Sequence, residues 1–156
     1  MIAMFPIILL VLSMLTPRAE ACPLELPATT ISINGNRLIV ELAQTTQSRI
    51  CGLSRRAALD EDRGMLFVYP NSGRRSFWMK DTWIPLAIAF LDEAGKIINI
   101  EIMTPNQTRE RYRSRLPATY ALEVNQGWFK LHGVKEGDRV EMKPFGKIWF
   151  HSHALE

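Results

Sequence analysis

Two carboxylates, Asp81 and Glu123, are the residues of this chain whose type and setting could do chemistry. Hydrolysis of a sugar or ester link needs two carboxyl groups held at separated pKa values across a cleft, one to give a proton and one to take it. Asp81 lies between two apolar runs beside Lys80 and Thr82, where the three could offer a polar rim to a ligand or satisfy the backbone of a turn. Glu123 alternates with Leu122 and Val124, which puts it mid-strand on the face shared with Ala121 and Asn125. A carboxylate there is either the rim of a ligand site or a buried acceptor paired with loop N–H groups and an arginine. Spacing alone does not bring Asp81 and Glu123 together. No serine–histidine–carboxylate set, phosphate loop or metal-ligand spacing stands out in the 156 residues.

Arg109, Arg111, Arg113 and Arg115 recur at every second position, so an extended chain would turn all four to one side and Glu110, Tyr112 and Ser114 to the other. Such a ribbon would attract anionic polysaccharide, lipid head groups or an acidic partner; the plain alternative is a solvated loop between Pro105 and Pro117. Trp78, Met79, Met103 and His132 are ligand types that suit a soft metal, but isolated Met and Trp in strands usually belong to a core. His151 and His153 make only two ligands, and no resident metal or cofactor is expected. His132 is expected to pack or cap near the end of a short helix beside Trp128. Cys22 and Cys51 are an even pair that permits a bridge, although a small buried thiol at Cys51 would pack equally well.

Several short elements must position these groups. Ile31–Leu42 reads as two alternating strands around Asn34-Gly35, a pair that accepts the positive φ of a tight hairpin turn. In the second strand Leu38, Val40 and Leu42 face one way and Arg37, Ile39 and Glu41 the other. A short helix follows, with Thr45 or Thr46 as N-cap and Gly52 as its stop. Leu53–Arg63 reads as a polar connection with a second turn near Ala57-Ala58-Leu59. Strands are expected at Met65–Tyr69, Ser76–Met79, Leu86–Leu91, Lys96–Met103, around Leu122 and at Arg139–Lys143, with one or two helical turns over Gly127–His132. Short connections favour antiparallel neighbours. The fold class is therefore mostly β (α+β): a compact, mainly antiparallel sheet curled into a barrel or sandwich, with two short helices.

The order of Arg49-x-x-Gly52-Leu53, Glu61-Asp62-Arg63-Gly64-Met65-Leu66-Phe67, Phe77-Trp78-Met79-Lys80-Asp81-Thr82, Pro85-Leu86-x-x-x-Phe90-x-Asp92, Leu122-Glu123-Val124-Asn125 and Gly137-Asp138-Arg139-Val140 resembles the bacterial and archaeal family catalogued as domain of unknown function 192, whose members are often exported. The match runs from about Arg37 to Met142. The resemblance implies a single β-rich domain and brings no established activity. Two positions depart from the family's pattern: Asp81 stands where Asn is usual, and Ala87 where Asp is usual.

Met1–Leu15 is apolar and shorter than the roughly 20 residues that span a bilayer, and Ala19-Glu20-Ala21 supplies a small-x-small cleavage pattern. The chain is read as residues 1–21 export signal, 22–30 leader, 31–143 one β-rich domain and 144–156 a tail carrying Phe145, Trp149 and Phe150. Removing the signal takes away Arg18 and Glu20 together and leaves the net charge at +3. That modest balance in an exported protein argues against a nucleic-acid partner. The expectation is a periplasmic or secreted monomer without a stable membrane span. It would bind a small polar ligand, glycan or protein through Lys80, Asp81, Thr82, Glu123 and Asn125, with Arg109–Arg115 as an anion-binding surface. The rival is a hydrolase working through Asp81 and Glu123.

Overall fold

The structure is a computed structural model that describes residues 21–142. Residues 1–20, where the export signal is expected, and 143–156, with Phe145, Trp149, Phe150, His151 and His153, lie outside the described residues. Alternating apolar residues and short turns give strands β1 (Ala28–Ile33), β2 (Asn36–Ala43), β3 (Arg63–Gly73), β4 (Ser76–Phe77), β5 (Leu86–Leu91), β6 (Ile97–Met103), β7 (Tyr112–Arg113), β8 (Ala118–Asn125) and β9 (Val140–Glu141). Two short helices, α1 (Thr46–Cys51) and α2 (Trp128–Leu131), complete the set. Seven strands form one curled sheet in the order β6-β5-β8-β3-β2-β1-β9, a half-barrel, and β4 pairs with β7 separately. The protein is thus mostly β, with two short helices.

The Asn34-Gly35 turn joins β1 to β2 as an antiparallel hairpin, with φ of +52° and +80° at its two central residues. One neighbour departs from the antiparallel expectation: β2 and β3 run parallel, Glu41 beside Met65 and Leu42 beside Leu66. The physical reason is the connection from Gln44 to Asp62, which is long enough for a crossover and carries α1. Helix α1 starts where Thr45 accepts from the Ser48 N–H while the Ser48 hydroxyl accepts from the Thr45 N–H, and it stops at Gly52 with φ +49°. In place of the turn expected around Ala57–Leu59 there is only a bend at Ala57, and the turn lies earlier, over Gly52–Arg55. Strand β4 does not reach Met79, whose N–H donates instead to the Gln107 carbonyl.

Both faces of the central strands are buried, and every residue of β5 is. One core gathers Ile31, Ile33, Leu38, Val40, Leu66, Leu122 and Val124 with Trp128 and Phe129 of α2. The other gathers Met65, Phe67, Phe77, Met79, Ile88, Phe90 and Met103 under the β4–β7 pair. At one end β6 is drawn toward β9, because the Ile97 N–H donates to the Asp138 carbonyl and the Val140 N–H to that of Gly95. Among the described residues no helix is long and apolar enough to cross a membrane.

Candidate functional site

Glu123 projects from the middle of β8 toward the second core. Its direct neighbours across the sheet are Met65 on β3 and Ile88 on β5, both fully buried. The side chain is 5% exposed, and among the described residues it makes no hydrogen bond or ion pair. Removal from water without a compensating partner penalises the charged form, so burial pushes the Glu123 carboxyl up to about 8 and holds it neutral at pH 7. A neutral carboxyl offers one donor and one acceptor side by side.

Glu123 is not sealed in. It lines an open cleft of about 400 Å³ between α1, the start of the described chain and the loop that follows β4. The apolar wall is Phe67, Phe77 and Trp78, with Phe67 and Phe77 meeting edge to face at 4.9 Å. Helix α1 contributes Arg49, Ile50 and Cys51, and Cys22 is bonded to Cys51, so the N-terminal segment is tied to one side of the opening. Lys80, Asp81 and Thr82 form the opposite rim. Thr82 is buried and its hydroxyl donates to the Lys80 carbonyl, so that group holds the turn. Asp81 adopts φ +53°, a left-handed conformation that Asn and Asp tolerate better than other side chains. This explains why Asp can stand where the family's pattern has Asn. Ala87 is 3% exposed within the first core, where a carboxylate would lie among apolar side chains.

The cleft thus brings together Lys80, Asp81, Thr82 and Glu123, but not Asn125. The Asn125 amide donates to the carbonyls of Leu59 and Asp60, both at 2.9 Å, and fastens the loop that precedes β3. The four arginines of the ribbon do not act alike. Arg111 lies over the Trp78 ring at 4.3 Å, and Arg115 is tied to Glu136 and the Ile98 carbonyl. Arg109 and Arg113 are exposed, and their side chains have no hydrogen bond or ion pair among the described residues. Met79 and Met103 are packed in the second core, whereas the His132 ring stacks on Trp128 at 4.2 Å and hydrogen-bonds its carbonyl, so these soft ligands are not gathered at one point.

Sequence reasoning missed Arg55, and it singled out Trp78 only as a soft-metal ligand type and Arg49 only within a motif, not as parts of one cleft. Arg49 donates to the Gln44 and Val68 carbonyls and lies 5.0 Å over the Tyr69 ring, while Arg55 pairs with Asp81 at 3.6 Å. Burial raises the Tyr69 hydroxyl; Arg75 and Arg49 oppose that rise, and Glu123 adds to it. A usable signal was present in the motif order. The blocks at 49–53, 77–82 and 122–125 are far apart in sequence, and each supplies lining residues to the same cleft.

Known proteins share this fold. A solved structure from Sinorhizobium meliloti 1021, described provisionally as a transcription regulator, superposes with a TM-score of 0.72 at 33% identity, covering 76% of this chain and 96% of that one. A protein of unknown function from Novosphingobium aromaticivorans DSM 12444 superposes with a TM-score of 0.70 at 28% identity, covering 80% of this chain and 96% of its own. Among curated proteins none matches the chain in sequence. The pattern of the family described as DUF192, Uncharacterized ACR, matches residues 29–142, from β1 through every cleft-forming strand to the last described residue, and the chain belongs to that family.

Proposed function

We propose that the protein is an exported envelope module that holds a small polar ligand in the Glu123 cleft without turning it over. The observation that carries this reading is a carboxyl 5% exposed, without a partner among the described residues, at the floor of an open cleft. That carboxyl meets only the solvent of the cleft, and a ligand that hydrogen-bonds it would replace this water with a directed contact in a largely desolvated setting. Residues 1–21 supply the export reading, and the Cys22–Cys51 bridge supports it, since such bonds persist in oxidising compartments. N-terminal sequencing of protein from the periplasmic fraction should begin at Cys22; an intact Met1 in the cytosolic fraction would refute export.

The ligand is tested by native mass spectrometry of the mature protein after exposure to envelope extract. The parent should carry a small-molecule adduct that Glu123→Leu lacks, although that variant stays folded. Identical adducts on both proteins would remove Glu123 from the site. One observation favours a second, catalytic reading: Asp81 and the neutral Glu123 line the same cleft, which suits a proton donor opposite a base. Asp81 is already engaged by Arg55, so binding is the reading we take. Turnover of a sugar or ester reporter, abolished by both Asp81→Asn and Glu123→Gln, would reverse that choice.

A further inference from the structure

We propose that the cleft and the arginine-bearing β7 segment form one track for an acidic polysaccharide, whose terminal ring enters beside Trp78 while the following units lie along Arg111 and Arg113. The inference rests on the cleft being a ligand site. Trp78 joins the two regions. It lines the cleft, yet it is 43% exposed, and the guanidinium of Arg111 lies over its ring at 4.3 Å. The β4–β7 ladder sets Phe77 opposite Tyr112 and Ser76 opposite Arg113 and ends there; Trp78 and Arg111 are the next residue on each chain, and their side chains meet beside the cleft.

The state of each cation points the same way. Arg74, Arg75 and Arg115 are spent on backbone carbonyls, and Arg115 also on Glu136. Arg109, Arg111 and Arg113 are exposed, and no carboxylate among the described residues pairs with their side chains. Arg111 meets Trp78 beside the cleft, and Arg113, opposite Ser76 on β7, is the next exposed cation on the same side of the chain. In extended chain Arg111 and Arg113 stand about 7 Å apart, a row that meets repeating charge on a polymer better than a single small anion. Guanidinium groups pair with carboxylates through two parallel hydrogen bonds. Arg111 at 4.3 Å and Lys80 at 5.5 Å both lie over the Trp78 ring, so an acidic sugar meets the exposed part of the indole between two cations, and the Glu123 carboxyl meets its hydroxyls. An anionic bilayer would engage the arginines, but a flat surface cannot reach Glu123 at the cleft floor.

The test measures binding of the mature protein to polygalacturonate, to dextran of matched length and to phosphatidylglycerol vesicles across a salt series. Polygalacturonate alone should bind, and its affinity should fall with salt. Arg111→Gln/Arg113→Gln should weaken it roughly fivefold and Trp78→Ala roughly tenfold. Equal binding of dextran, indifference to Trp78→Ala, or a preference for vesicles would overturn the track. If polygalacturonate fails while the Glu123-dependent small-molecule adduct persists, the track is wrong and the cleft reading stands. Loss of that adduct's dependence on Glu123 would remove both.

Discussion

Glu41 and Glu123 stand in one row across the sheet, on either side of Met65, and only Glu41 is given a cation. Glu41 is the β2 neighbour of Met65 and Glu123 its β8 neighbour. Arg56 closes on Glu41 with two hydrogen bonds of 2.6 and 2.8 Å. No such partner meets Glu123 among the described residues. The same fold therefore provides for one buried carboxylate and leaves the other dependent on its proton, or on a ligand.

That dependence fixes a pH profile. Burial raises the Glu123 carboxyl from 4.5 to about 8 in the folded protein. Between those values the folded form keeps a proton that the unfolded chain has released, so stability falls as pH rises through that window and is unaffected by this group below it. The size is at most a few kcal/mol. Glu123→Gln should match the parent to within about 1 kcal/mol at pH 4 and be the more stable protein above pH 8. Urea unfolding midpoints at a series of pH values test this; parallel profiles for parent and variant would show that Glu123 does not titrate in the window.

The Asp81 turn should respond to backbone conformation more than to charge. The Arg55 N–H donates to the Asp81 carbonyl at 2.7 Å, and both residues have positive φ, +60° and +53°. Their side chains meet at 3.6 Å but are about half exposed, so water and salt screen the pair. Asp81→Asn should change stability by less than about 0.5 kcal/mol. Asp81→Ala should lose about 1 kcal/mol, because Ala lacks the tolerance for left-handed φ. Equal losses in the two variants would assign the effect to the ion pair.

The elements were legible where local chemistry decided them. Asn34-Gly35 marked the hairpin, Thr45 and Gly52 bounded α1, and Leu86–Leu91 read as a strand. The parallel β2–β3 pair was less legible, because it depends on how far the chain travels between Gln44 and Asp62 and not on any local pattern. Asp81 and Glu123 could be singled out separately, but their shared cleft depends on α1 and the post-β4 loop arriving at one end of β8. Asn125, on the same strand face as Glu123, is diverted to the carbonyls of Leu59 and Asp60, a loop contact across long sequence separation that no alternation pattern encodes.

Gly64 controls how closely β3 approaches Glu123. A Cβ added there would stand 2.5 Å from the Glu123 carbonyl oxygen and 3.2 Å from a Val124 methyl. The first contact is with backbone, which cannot swing aside, so β8 itself would have to move. Gly64→Ala should lose about 1–3 kcal/mol by overpacking and should disturb the amide signals of Glu123 and Val124. Gly35, whose added Cβ would meet nothing within 4 Å, serves as the control, with a loss confined to its φ of +80°. A Gly64→Ala protein with unchanged midpoint and unshifted β8 amides would contradict this account.

The Glu41–Arg56 pair tests whether the neighbouring carboxylate is held by its partner alone. Both side chains are largely buried, 11% and 18% exposed, and the Arg56 Nε has no hydrogen-bond partner among the described residues. Arg56→Met leaves the largely buried Glu41 carboxylate without its partner, and should lose about 3–5 kcal/mol. Replacing both partners, Glu41→Met with Arg56→Met, should restore most of that loss, because neither charge then has to be desolvated. A double-mutant cycle on urea midpoints gives the coupling. Additive losses would mean that the two groups stabilise the fold independently, and the contrast between Glu41 and Glu123 would then rest on depth in the sheet instead of on Arg56.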